Sequence, residues 1–171
     1  MVILLNFEMI KKDNLNEIIN DIYTNDCNFS YTYISNSSDD TIEIAKCFAK
    51  YMNIGDVINI NGELGAGKTV FMSGFASYFN IENEVSSPTF TIVNEYNIID
   101  NKKIFHFDVY RIEDSNEFID SIGTEYFQNG ICIIEWGDII KDILPKNTVN
   151  IKIEKDSDNE NIRIFKIWRN K

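Results

Sequence analysis

Residues Gly62-Glu63-Leu64-Gly65-Ala66-Gly67-Lys68-Thr69 constrain this chain more than any other stretch, because they satisfy the pattern G-x-x-x-x-G-K-[ST] in full. Such a loop works only between a strand and a helix. Its glycines let the backbone curl until successive N–H groups point at one phosphate, and the helix that follows adds the positive end of its dipole. Both neighbours are written in the sequence. Val57-Ile58-Asn59-Ile60 is a short β run after the turn Gly55-Asp56, and Val70 to Phe79 reads as a helix. A P-loop for a nucleoside triphosphate is predicted. Gly62, Gly65, Ala66, Gly67 and Val70 form its cradle, Lys68 bridges the β- and γ-phosphates, and the Thr69 hydroxyl takes one position on Mg²⁺.

The rest of the chain reads as an α/β sheet flanked by helices. Ser37-Ser38-Asp39-Asp40 caps an apolar helical stripe through Ile42, Ala45, Phe48, Ala49 and Met52. Further strands are expected over Phe90–Tyr96, Ile104–Tyr110 and Ile131–Glu135, with a helical region around Phe118 and Tyr126 before the last of them. Val149–Ile153 and Ile162–Ile167 alternate with period two and predict a C-terminal β-hairpin. Residues 1–33 differ: they hold many Asn and Asp and a weak helical pattern through Leu15, Ile18, Ile19 and Ile22. They read as an N-terminal extension packed loosely on a P-loop domain of residues 34–171.

Composition removes several classes. A formal charge of −11 speaks against gripping nucleic acid by charge alone, and no apolar run approaches the roughly 20 residues of a membrane span. A cytoplasmic protein with no membrane contact is expected. Cys27, Cys47 and Cys132 form no CxxC pair, and the chain has one histidine, His106. Reduced thiols are predicted in place of disulfides or zinc. His106 lies in the apolar run Ile104-Phe105-His106-Phe107 and reads as a packed core histidine.

A P-loop needs a carboxylate opposite its Thr to hold the metal. Asp108 and Glu135 both end apolar strands and both qualify. The Ser87-Pro88-Thr89 segment precedes a strand, where a loop can reach the γ-phosphate.

Taken together, the P-loop, Ser87-Pro88-Thr89-Phe90-Thr91, His106-Phe107-Asp108-Val109-Tyr110-Arg111 and Ile134-Glu135-Trp136 resemble, in the same order, the TsaE (YjeE) family. That family is the small bacterial ATPase of tRNA threonylcarbamoyladenosine biosynthesis, and the resemblance runs from about Ser35 to the hairpin. It implies a P-loop fold, ATP and Mg²⁺ as ligands, and slow hydrolysis. It also implies partnership with the TsaD and TsaB proteins, which modify adenosine 37 of tRNA, so that tRNA is met only through the complex. By position, Thr69 and Glu135 become the metal ligands, Asp108 a residue needed for hydrolysis alongside Lys68, Thr89 part of a switch-like loop, and Trp136 a residue beside the nucleotide. The segment around Asp40 and Thr41 falls near the adenine. Val70 stands where a second threonine is frequent. Gly137 stands where proline is frequent, which is expected to loosen the loop after Trp136.

The expected reaction is in-line attack of water on the γ-phosphorus. Arg111 is the nearest arginine in cis, although a surface salt bridge is the plainer expectation for it. The alternative is a small-molecule or nucleoside kinase on the same cradle. Kinases of that kind carry an arginine-rich lid, and this chain has only Arg111, Arg163 and Arg169. A nucleotide-sensing scaffold with negligible turnover is the third reading.

Overall fold

In the computed structural model, which describes residues 8–25 and 28–169, one mixed sheet orders the chain. Its elements are β1 (Glu8–Ile10), α1 (Leu15–Thr24), β2 (Phe29–Ser35), α2 (Ser38–Tyr51), β3 (Val57–Asn61), α3 (Lys68–Ser77), β4 (Val93–Asn97), β5 (Lys103–Asp108), α4 (Ser115–Ser121), α5 (Tyr126–Asn129), β6 (Ile131–Glu135), β7 (Val149–Lys155) and β8 (Arg163–Arg169). Across the sheet the strands run β1-β2-β8-β7-β3-β6-β5-β4. β3 lies parallel to β6 and β7, and β6 parallel to β5. β7 and β8 form the expected antiparallel hairpin. Every residue of β3 and of β6 is buried, as strands covered on both faces must be.

Two apolar cores sandwich the sheet. Phe48, Phe71 and Phe75 from α2 and α3 pack with Ile58, Ile60, Ile151 and Phe165 on one face. Phe107, Phe118, Phe127 and Ile134 fill the other. α2 begins as its sequence predicts. The Ser37 side chain accepts from Asp40 N at 3.2 Å, Asp39 and Asp40 stand in the first turn, and Lys50 stands in the last.

Three differences from the sequence reading have physical causes. The first concerns the N-terminal segment, which is not loosely attached. β2 pairs with β8 along its whole length, so the expected boundary at residues 33/34 falls inside a strand. β1 then extends the sheet beside β2, and Leu15, Ile19 and Ile22 of α1 are buried in the first core. The second is that β4 starts at Val93 rather than Phe90. Pro88 O accepts from both Thr91 N and Ile92 N (3.1 and 2.7 Å), and Ile92 takes φ 66°, so residues 88–92 turn instead of extending. The third is that the predicted helix from Val70 begins two residues earlier, at Lys68, and ends at Ser77.

Cys47 and Cys132 are free and buried, and burial pushes the Cys132 thiol up to about 12. Cys27 lies outside the described residues. Among the described residues no helix is long and apolar enough to cross a membrane.

Candidate functional site

The parallel order of β3, β6 and β5 brings three sequence-distant ends to one edge of the sheet. The P-loop leaves the end of β3, while Glu135 and Asp108 are the last residues of β6 and β5 and face each other as register partners. That edge is where ligands bind in open α/β sheets. The loop's shape follows from its glycines. Gly67 caps α3 with φ 113°, a conformation closed to most side chains. Gly62 runs so close to β7 that a Cβ there would meet Ile153 O at 2.8 Å.

Lys68 is buried and folds back over the loop. Its Nζ donates to Gly62 O at 2.7 Å and Glu63 O at 3.3 Å, and it stands 4.7 Å from the centre of the Trp136 ring. Two further cations brace the loop from the hairpin. Lys155 Nζ donates to Leu64 O and Arg163 Nε to Ala66 O, each at 2.9 Å. These cations occupy loop carbonyls, and Ala66 N–H is spent on Glu63 O at 3.0 Å, so an anion would be met by the other N–H groups of the loop.

The two carboxylates are each less than a tenth exposed and each has a donor. Thr89 Oγ1 donates to Asp108 Oδ2 at 3.0 Å, and Tyr110 N donates to Oδ1 at 3.2 Å. Thr89 also shares a 2.7 Å hydrogen bond with Ser87 Oγ, so the 87–89 segment is tied to Asp108. His106 Nε2 lies 2.9 Å from Glu135 Oε1. His106 is buried as the sequence implied, but against a carboxylate rather than in a purely apolar packing.

Trp136 follows Glu135 with φ 64°, and its N–H donates to Ile60 O at 3.2 Å. The turn after it is tightly held, contrary to the loosening expected from Gly137. Asp138 Oδ1 accepts from Asn59 Nδ2 (2.9 Å) and Asn61 Nδ2 (3.0 Å), both on β3. A Cβ at position 137 would come within 2.6 Å of Asn59 Oδ1, which is the steric reason for glycine there.

Gly65, Gly67, Lys68, Thr69, Val70, Thr89, Asp108, Glu135 and Trp136 line one cleft of about 280 Å³, together with Leu64 and Ser87. Gly62 and Ala66 form the buried back of the loop. A second cleft of about 370 Å³ opens across the loop, sharing Gly65, Gly67 and Val70 with the first and walled by Asn36, Ser37, Thr41, Glu160, Asn161 and Arg163. Thr41 lines it. Asp40 instead turns to Asn36 N and Lys12. Arg111 makes no ion pair among the described residues and lies 5.1 Å from the centre of the Phe90 ring. The bracing roles of Lys155, Arg163, Asn59 and Asp138 were not visible in the sequence, since their partners are remote in the chain.

The donor set suits Mg²⁺: a Thr hydroxyl and carboxylate oxygens are hard ligands, and Mg²⁺ in phosphate sites takes one or two protein oxygens, with phosphate and water completing the shell. Among the described residues no three acidic, His or Cys side chains cluster as a metal cage, and a site of this type needs none.

Comparison with known proteins gives the family and the fold. The family model "Threonylcarbamoyl adenosine biosynthesis protein TsaE" matches residues 35–164. A tRNA threonylcarbamoyladenosine biosynthesis protein TsaE from Bacillus subtilis is 43% identical over 126 residues, covering 71% of this chain and 76% of the relative. Its counterpart from Treponema pallidum is 35% identical over 122 residues, covering 70% and 88%. The crystal structure of Bacillus subtilis YdiB superposes with a TM-score of 0.65 at 31% identity, covering 85% of this chain and 88% of that one.

Proposed function

The chain belongs to the TsaE family of tRNA threonylcarbamoyladenosine biosynthesis, and from that premise we propose that it is the Mg²⁺-dependent ATPase of that machinery, supporting turnover by TsaD and TsaB. The observation that carries this reading is the convergence of Lys68, Thr69, Asp108 and Glu135 on one cleft at the mouth of the P-loop. The triphosphate lies along the free N–H groups of the loop and the N-terminus of α3, with Lys68 as its cation. The base takes the second cleft, beside Thr41 and Asn161. Thr69 and Glu135 would hold Mg²⁺, which when bound neutralises charge on the β- and γ-oxygens.

Asp108 orients the attacking water. Its two oxygens are fixed by Thr89 and Tyr110 N–H, and each keeps a lone pair for a further donor. Because Thr89 touches Asp108 directly, movement of the 87–89 segment alters the water site. Trp136 covers Lys68 and excludes solvent from it. Arg111, occupied with Phe90 at the rim, leaves the phosphates without an arginine in cis, so hydrolysis by the chain alone is slow. The kinase reading loses support from the same three arginines: Arg163 is spent on the loop carbonyl and Arg169 on carbonyls at the end of α1.

The acidic balance fits a subunit that binds protein partners and leaves tRNA to them. The reading is tested by ATP hydrolysis with and without TsaD and TsaB. Lys68→Ala is expected to abolish nucleotide binding, and Glu135→Ala to lower Mg²⁺-dependent turnover by at least about 10-fold. Full hydrolysis by Glu135→Ala would sink the ligand assignment. Co-purification of the three proteins with ATP tests the partnership, and phosphate transfer to a nucleoside would restore the kinase reading.

A further inference from the structure

His106 stands on β5 with 1% exposure, its Nε2 at 2.9 Å from Glu135 Oε1. Its Nδ1 is buried without a hydrogen-bond partner. This pairing dictates where the ring proton sits. A bare Nε2 lone pair facing a carboxylate lone pair would be repulsive, so Nε2 carries the hydrogen and Nδ1 is the atom left bare.

Register explains the choice of residue. β5 and β6 are parallel, with His106 beside Ile133 and Asp108 beside Glu135. Residues 106 and 108 share one face of β5, which puts the imidazole diagonal to Glu135 and Asp108 directly across from it. Two buried carboxylates side by side each need their own donors. Asp108 has Thr89 and Tyr110 N–H, and among the described residues the side-chain donor to Glu135 is His106.

We infer that His106 is a positioning residue: it holds Oε1 of Glu135 and so aims Oε2 at the metal. The inference rests on the proposed reading of Glu135 as a Mg²⁺ ligand. Carboxylates that bind metal depend on such outer hydrogen bonds, whose loss costs about 10–100-fold in metal affinity. A histidine used only as packing would tolerate any isosteric polar side chain equally.

Two substitutions separate these roles. The amide nitrogen of glutamine reaches the place of Nε2, whereas that of asparagine reaches only the place of Nδ1. The full chain and its variants are titrated with Mn²⁺ in the presence of a non-hydrolysable ATP analogue, with bound Mn²⁺ read by electron paramagnetic resonance. Nucleotide binding in EDTA and thermal unfolding are measured beside it. His106→Asn is expected to weaken Mn²⁺ by about 10–100-fold while metal-free nucleotide binding is kept, and His106→Gln to stay within about 3-fold of the unsubstituted chain. Equal behaviour of the two variants overturns the inference, and so does a folded His106→Gln that loses Mn²⁺. Glu135→Gln separates the levels. If it loses Mn²⁺ while both His106 variants keep it, only the positioning role falls. If it keeps Mn²⁺, the ligand assignment itself falls and takes the positioning role with it.

Discussion

Asp40 illustrates how a single half-buried carboxylate links two parts of the chain. Its Oδ2 accepts from Asn36 N at 2.9 Å and its Oδ1 from Lys12 Nζ at 3.1 Å, and these contacts, the backbone one first, hold its pKa below the ordinary value of 3.8. A lowered carboxylate pKa stabilises the fold fully above the ordinary value and loses that contribution as pH falls through the folded one. Asp40→Asn is therefore expected to lower the urea midpoint at neutral pH, with the gap to the unsubstituted chain closing as pH drops below 3.8. A gap unchanged by acid would show that the effect is not electrostatic. Two other residues store strain, Trp136 in the lining of the first cleft and Ile92 in the turn behind Asp108. Ile92 and Trp136 both sit at positive φ, which for a residue other than glycine costs about 1–3 kcal/mol. Ile92 is held there because its carbonyl accepts from Asp108 N at 2.9 Å, so the turn and the proposed water-orienting residue are coupled.

At the scale of elements, α2 and α3 meet where Gly74 lies in mid-helix. Replacing it with alanine would gain about 1 kcal/mol of helix propensity. The new Cβ would, however, stand 2.7 Å from Ile42 Cα and 3.0 Å from Ile42 O, backbone atoms that cannot rotate away. Overpacking of this kind costs about 1–3 kcal/mol, so the clash wins and Gly74→Ala is expected to lower the denaturant midpoint. A rise would mean that the helices separate freely. β6 announces itself as an apolar run unbroken up to Glu135, and the P-loop dictates its own strand and helix, so β3 is legible despite Asn59 and Asn61. β4 could not be bounded from Phe90-Thr91-Ile92, because β propensity there is overridden by Pro88 O capturing two N–H groups. Arg163 was legible only as a hairpin residue. Its contact with Ala66 spans 97 positions and exists only once β7 and β8 dock beside β3.

The whole molecule turns on the segment before residue 35, where the family match begins. Its polar composition suggested an appendage, yet Ile10, Leu15, Ile19 and Ile22 are each at most 3% exposed and belong to the core that backs α2. Each such aliphatic side chain contributes roughly 1.5–3 kcal/mol when buried. Arg169 at the end of β8 donates to Asn25 O and Ile22 O, so the last strand also closes the first helix. Lys12 reaches Asp40 and Glu43 at the start of α2, next to the wall of the second cleft. A chain shortened to begin at residue 28 would thus uncover the face of α2 and leave Arg169 without its carbonyls. It is expected to unfold at lower urea concentration and to bind an apolar dye, with weakened nucleotide affinity following from the loss of fold. An appendage would leave the urea midpoint, its slope and dye binding as they are in the full chain. The slope decides between them, since it scales with the surface exposed on unfolding: a smaller slope means that residues 8–25 unfold together with the P-loop domain as one cooperative unit.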